Sequence, residues 1–162
     1  MHDFWRVVHI LSAIVWAGGT IVVTLFVTPT AKKIGDDGRP FMQALVRTNM
    51  TAVLLGAAIS TVVAGAFLYW ERFDGIRFSG TSGLWISIGA LAGITALAIG
   101  YTFGARSTFG IRRLGAAIAK RGGPPTAEEM SEMQRLQGRL TTVGPFLLLL
   151  FVIAIFGMAL GA

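Results

Sequence analysis

The sequence predicts an all-α polytopic membrane protein: a four-transmembrane-helix bundle whose third and fourth helices extend past the bilayer as a cytoplasmic hairpin. Three observations predict it. Hydrophobic residues make up 54% of the 162-residue chain and charged residues only 14%, where ordinary globular domains are about a quarter charged. The apolar residues are gathered into blocks of about 20, the length that crosses hydrocarbon as an α-helix. None of these blocks alternates apolar with polar residues as barrel strands do, and a bilayer admits only helices and closed barrels.

The first span covers about 4–28 and holds no Asp, Glu or Lys, with Arg6 only at its edge. It is too long for a signal peptide, Asp3 offsets its basic residue, and another span follows, so it reads as a retained helix. The loop "PTAKKIGDDGRPFMQALVRTN" is expected to break the helix at Pro29, Gly35 and Gly38 and to restart one at Pro40, a favourable first-turn residue. The second span covers about 51–70 and leads into the short glycine-rich loop "ERFDGIRFSGTSG".

The third span covers about 84–105, but its helical spacing continues through "STFGIRRLGAAIAKR", where Phe109, Leu114 and Ile118 oppose Arg112, Arg113 and Lys120. "GGPP" at 122–125 is a stop and turn. Thr126 and Glu129 then form a capping box that opens a new helix. Met130, Met133, Leu136 and Leu140 recur at three- and four-residue spacing, a stripe that reads as packing between the two projecting helices, with a partner-docking face as the alternative. The hairpin thus occupies about 106–141, and the fourth span about 142–160, with a bend expected at Gly144-Pro145. The whole chain, 1–162, reads as one membrane domain.

The charges orient it. With four spans, Arg6, Arg72 and Arg77 lie on the side of the termini, and the other eleven Lys and Arg residues lie on the opposite side. Basic residues flanking spans concentrate on the cytoplasmic side. The N- and C-termini are therefore expected to be extracytoplasmic, in a bacterial-type inner (cytoplasmic) membrane. The net charge of +6 follows from this bias. It points to the lipid bilayer and its anionic headgroups as partner, not to nucleic acid. Small residues recur at Gly56, Ser60 and Ala64, and again at Gly89, Gly93, Ala96, Gly100 and Gly104. They predict close helix contacts, within this bundle or in a homo-oligomer or larger membrane complex.

Several chemistries are poorly served. The chain has no cysteine, which removes disulfides, thiolate metal sites and iron–sulfur clusters. No acid or base lies deep in a span, as ion-coupled transport ordinarily requires. No phosphate loop and no nucleophile–base pair is visible, and no catalytic residue is assigned.

His9 is the one histidine inside a span. Ser12, Ala13, Trp16, Thr20 and Thr24 continue its helix face, and a polar face of this kind turns toward the bundle interior. Met158 lies four residues from the end of the sequence and His9 about one turn inside the first span, so the two are expected at similar depth. Imidazole and thioether are a workable axial pair for haem b in a bundle core. Trp16 would flank such a group, and Arg6 and Arg72, with Arg77, would meet its propionates. Copper held by His9 with Met158 or Glu71 is the alternative. A hydrogen-bonded packing role for His9 stands beside both. Trp5, Trp70 and Trp85 read as an outer aromatic belt.

The run His9-Ile-Leu-Ser-Ala-Ile-Val-Trp16-Ala-Gly18-Gly19 resembles the first helix of copper-resistance protein D-like membrane proteins. It is also similar to that of membrane-bound protoporphyrinogen oxidases, where a histidine is likewise followed by a tryptophan and a glycine. The Pro29-containing helix end and "PPTAEEMSEMQRLQGRL" before the last span look like related four-helix proteins. The resemblance implies a haem-, porphyrin- or copper-linked role with His9 as the matching position. The function expected is therefore that of a small redox- or metal-linked membrane protein, serving electron transfer or metal handling. The alternative is a non-catalytic structural or accessory subunit of a larger membrane complex.

Overall fold

A computed structural model describes residues 1–73 and 80–161, the side chains of residues 36, 39 and 73 excepted. The predicted loop at 74–79, with Arg77, falls outside the described residues. The long elements are all helices: α1 (His2–Ile34), α2 (Gly38–Arg47), α3 (Met50–Phe73), α4 (Gly80–Arg121) and α5 (Ala127–Gly161). All but α2 are long and apolar enough to cross a membrane.

Their outward faces are built from large apolar side chains. Leu91 is 67% exposed and Phe156 62%, and Leu11, Ile14, Phe26, Ile59 and Ile155 are exposed with them. Water would not tolerate so continuous an apolar surface on a soluble monomer, whereas lipid tails solvate it. The chain is a multi-pass membrane protein.

The helices outrun the spans read from hydropathy, because hydropathy marks only the part that sits in hydrocarbon. Pro29 does not break α1, contrary to expectation. A π-helical segment, Val23–Val27, precedes it, and the helix continues to Ile34. Proline lacks an N–H and its ring collides with the carbonyl four residues back, here Leu25. The wider π turn absorbs that defect. The chain leaves α1 only at Gly35, whose φ is 71°. α2 then begins at Gly38, two residues before Pro40. A second π-helical segment, Gly100–Ala105, lies within α4. α5 runs on through Pro145. A Cβ on Gly144 would stand 2.8 Å from Thr24 Cγ2, so α1 and α5 are close there.

α1 lies mainly along α3, and α4 along α5. One core joins the pairs: Trp16 of α1, Ala58 of α3, Ala96 of α4, and Val143, Leu147 and Phe151 of α5. Trp16 and Phe151 meet edge to face with ring centres 4.9 Å apart, a contact worth about 0.5–1.5 kcal/mol beyond burial. The α4–α5 seam is set by backbone proximity. A Cβ on Gly157 would lie 2.7 Å from Gly89 N and 2.7 Å from Trp85 O. Only glycine permits that approach, and such packing is what associates helices where lipid removes the hydrophobic drive.

Only part of the small-residue stripe of α3 packs within the chain. Ala64 is fully buried, but Gly56 and Ser60 are exposed, and a Cβ on Gly56 would meet nothing within 4 Å. The packed face is Ala58, Thr61, Ala64 and Gly65. A strict four-residue spacing drifts around a helix of 3.6 residues per turn, whereas alternating threes and fours follow one face. Likewise Gly89, Ala92 and Ala96 pack on α4, while Gly93 and Gly104 are open.

Beyond the core, α4 ends at Gly122, which takes the left-handed φ of 73°. Thr126 N–H donates to Glu129 Oε2 at 2.8 Å and Glu129 N–H to Thr126 Oγ1 at 3.2 Å, so the capping box is formed. Arg121 grips both Glu129 oxygens at 2.7 Å across the turn. That guanidinium, and after it the Thr126 amide, lowers the Glu129 carboxyl to about 2. Leu136 is the buried member of the Met/Leu stripe and packs at Gly110, whereas Met130 is exposed.

Candidate functional site

His9 stands on the face of α1 turned toward α3. The face read from sequence is the packed one: Trp16 is buried and Ser12, Ala13, Thr20 and Thr24 are half-buried, while Val7, Ile10, Leu11, Ile14 and Val15 point outward. The imidazole is held from two directions. Its Nδ1 bonds the carbonyl oxygen of Thr61 at 2.8 Å. Its Cε1 edge rests on Gly65, where a Cβ would stand at 2.9 Å. Ser12 and Thr61 complete a small polar network: Thr61 Oγ1 donates to Ser12 Oγ at 2.9 Å, and Ser12 Oγ donates to Val8 O at 2.6 Å. In hydrocarbon these groups must satisfy one another.

The Thr61 carbonyl can only accept, so Nδ1 carries the proton. In the neutral ring Nε2 then keeps its lone pair. Among the described residues none hydrogen-bonds Nε2. Fixing one ring nitrogen on a carbonyl is how ligating imidazoles are oriented, and the other nitrogen is the donor.

Met158 lies at the same level on the other helix pair. Trp16 touches Phe151 and Thr24 touches Gly144, so α1 and α5 run antiparallel. His9 lies seven residues back from Trp16 and Met158 seven residues on from Phe151. Both are therefore about 10 Å from that contact, toward the end that carries the termini. Met158 sits at the α4–α5 seam, where its backbone nitrogen would be 3.2 Å from a Cβ on Gly89. His9 sits in the α1–α3 seam.

The same end gathers the remaining predicted residues. Arg6 is exposed. Arg72 Nη2 donates to the Gly161 carbonyl at 3.0 Å and lies 3.4 Å from Ser82 Oγ, tying α3 to both α4 and α5. A guanidinium suits that spot, since the last carbonyls of a helix carry partial negative charge. Glu71 pairs with His2 at 3.0 Å rather than with His9. Trp5 stacks on Phe67 with ring centres 4.5 Å apart. Tyr69 bonds Ser87 at 2.7 Å. Among the described residues, no three His, Cys, Asp or Glu side chains gather as a metal site.

Thr61 and Gly65 were not picked out from the sequence. The sequence carried no signal that set them apart, since Gly56 and Ser60 show the same spacing of four in the same span and are exposed. Compared with known proteins, the chain matches no family model, no curated protein sequence and no solved structure.

Proposed function

We propose that this protein is a small redox- or metal-linked membrane protein that holds haem b near the extracytoplasmic face through Nε2 of His9. The observation that carries the reading is the His9–Thr61 bond, which fixes one ring nitrogen and leaves the other with its lone pair in the α1–α3 seam. The donor set favours haem over copper. Porphyrin supplies four equatorial nitrogens and asks the protein for one or two donors, while copper must draw all its donors from side chains. His9 is the first donor and Met158, at the same level, the candidate second. Bound haem would supply one-electron chemistry. The chain's own part is to hold the imidazole, exclude water through the Trp16–Phe151 core, and place Arg6 and Arg72 at the headgroup end. The first-helix resemblance to copper-resistance protein D-like proteins and protoporphyrinogen oxidases points the same way. The charge bias supports extracytoplasmic termini in an inner membrane, with the α4–α5 hairpin in the cytoplasm.

The test is haem and copper content per chain, measured on protein made with both available. About one haem in the wild type and none in His9→Ala supports the reading. A second reading, an accessory subunit of a larger membrane complex, is favoured by the open glycine faces at Gly56 and Gly93. It predicts colourless protein, indifference to His9→Ala, and stoichiometric co-purifying partners.

A further inference from the structure

At the opposite end of α5, nineteen residues before Met158, α4 and α5 diverge around a cleft of ≈ 610 Å³. It is lined by Arg106, Ser107 and Arg113 of α4 and by Glu132, Leu136 and Arg139 of α5. Three guanidinium groups thus share it with one carboxylate. That carboxylate is already held by Arg135, whose Nε and Nη2 each stand 2.7 Å from a Glu132 oxygen. The cleft carries surplus positive charge.

Ser107 is 1% exposed, and its Oγ has no hydrogen-bond partner among the described residues. A helical hydroxyl normally bonds the carbonyl one turn back, as Thr102 and Thr108 do on either side. A buried hydroxyl left unmatched calls for an explanation in the form of an acceptor or donor the chain does not supply.

A second groove, of ≈ 520 Å³, adjoins this cleft on the membrane side. Ile99, Phe103, Val143 and Phe146 line it, and it shares Arg139 with the first. Arg106 and Arg139 flank the apolar stretches 84–105 and 142–160, and Ile99, Phe103, Val143 and Phe146 of the groove fall within those stretches. The π-helical segment Gly100–Ala105 falls between them and places Thr102 on the cleft and Phe103 on the groove. Such bulges recur at functional sites.

A basic cleft joined through one arginine to an apolar groove fits a single molecule with an anionic phosphate head and a hydrocarbon tail. The geometry points to a binding site for one anionic phospholipid, its phosphate held by Arg106, Arg113, Arg139 and the Ser107 hydroxyl, with an acyl chain in the groove. Planar guanidinium forks match phosphate oxygens two at a time. This site is independent of His9.

Native mass spectrometry of the 162-residue chain in detergent, titrated with phosphatidylglycerol, tests it. One saturable lipid is expected, bound at least about tenfold more tightly than phosphatidylcholine. Arg139→Gln, and separately Arg106→Gln from the other helix, should each weaken it by about tenfold, the worth of one charge-assisted hydrogen bond. Arg139→Lys should recover part of the loss. Lys120→Gln, on the same hairpin but outside the cleft, should change nothing. Equal loss with Lys120→Gln would reduce the effect to diffuse attraction, and equal binding of phosphatidylcholine would remove the charge reading. Displacement of the lipid by inorganic phosphate at matching concentration would assign the cleft to a soluble phosphate. Each of these three overturns the proposal.

Discussion

His9 and Thr61 are joined by a hydrogen bond from the imidazole Nδ1–H to a main-chain carbonyl, 2.8 Å long, that links α1 to α3 inside the apolar span. Because the acceptor belongs to the backbone, no side-chain substitution at Thr61 deletes it. The ring's position is instead governed by the glycine beneath it.

Gly65→Val should therefore displace the ring while leaving His9 in place. Nitrogen-15 spectra of histidine-labelled protein in bilayers, in a His2→Gln background, read this directly. In haem-free protein the wild-type sequence is expected to show a protonated Nδ1 and an unprotonated Nε2, and Gly65→Val a mixture of tautomers. Gly18→Ala serves as the control, since a Cβ there meets nothing within 4 Å. An unchanged spectrum in Gly65→Val would contradict the glycine cradle.

The two kinds of glycine should separate in stability. Gly157→Leu forces a side chain into the backbone of α4 and should destabilise the fold by about 1–3 kcal/mol or more, the usual cost of overpacking. Gly56→Leu adds its side chain to open surface and should cost under about 0.5 kcal/mol. Reversible unfolding in mixed micelles measures both. Equal costs would mean the α4–α5 seam is not where the structure puts it.

Trp16→Ala removes the largest member of the shared core and should cost about 3–5 kcal/mol. Trp70→Ala, at a residue 64% exposed, should cost about 0.5 kcal/mol or less. A smaller loss at Trp16 than at Trp70 would reverse the assignment of core and rim.

The hairpin turn should be acid-labile. The Glu129 carboxyl is lowered to about 2, first by the hydrogen bonds from Arg121 and then by the Thr126 amide. A depressed carboxylate contributes stability above its unfolded value, about 4.3, and loses it as pH falls toward the folded value. Protection of the amides around Ala127–Glu129, measured against the intrinsic exchange rate at each pH, should therefore fall between about pH 4.5 and 2, while Glu129→Gln is less protected already at neutral pH. Protection independent of pH across this range in the wild type would contradict the role given to this pair.

The long helices and the hairpin turn were legible because each rests on local chemistry. Twenty apolar residues, Gly122 after a helical pattern, and Thr126 with Glu129 declare themselves without reference to the rest of the chain. Helix ends and packing faces were not. Pro29 reads as a stop, but a π turn one step earlier carries the helix through it. Gly56 and Ser60 read as a seam, but which side of α3 is covered depends on α1. The inward face of α1, from His9 to Thr24, was readable because polar groups in lipid have only one direction to turn. The partners of His9 were not, since a carbonyl acceptor leaves no trace in side-chain identity. The cleft at Arg106 and Arg139 escaped because it joins residues 33 apart that the charge bias alone had already explained.

The most direct test of the central claim is the absorption spectrum of the detergent-purified protein, air-oxidised and then dithionite-reduced, for the wild type, His9→Ala and Met158→Ala. The account predicts a Soret band that shifts and sharpens on reduction and is abolished in His9→Ala. It also predicts that Met158→Ala retains haem with an altered reduced spectrum. A wild-type protein without a chromophore, made with haem in excess, would contradict it and leave His9 as a hydrogen-bonded strut between α1 and α3.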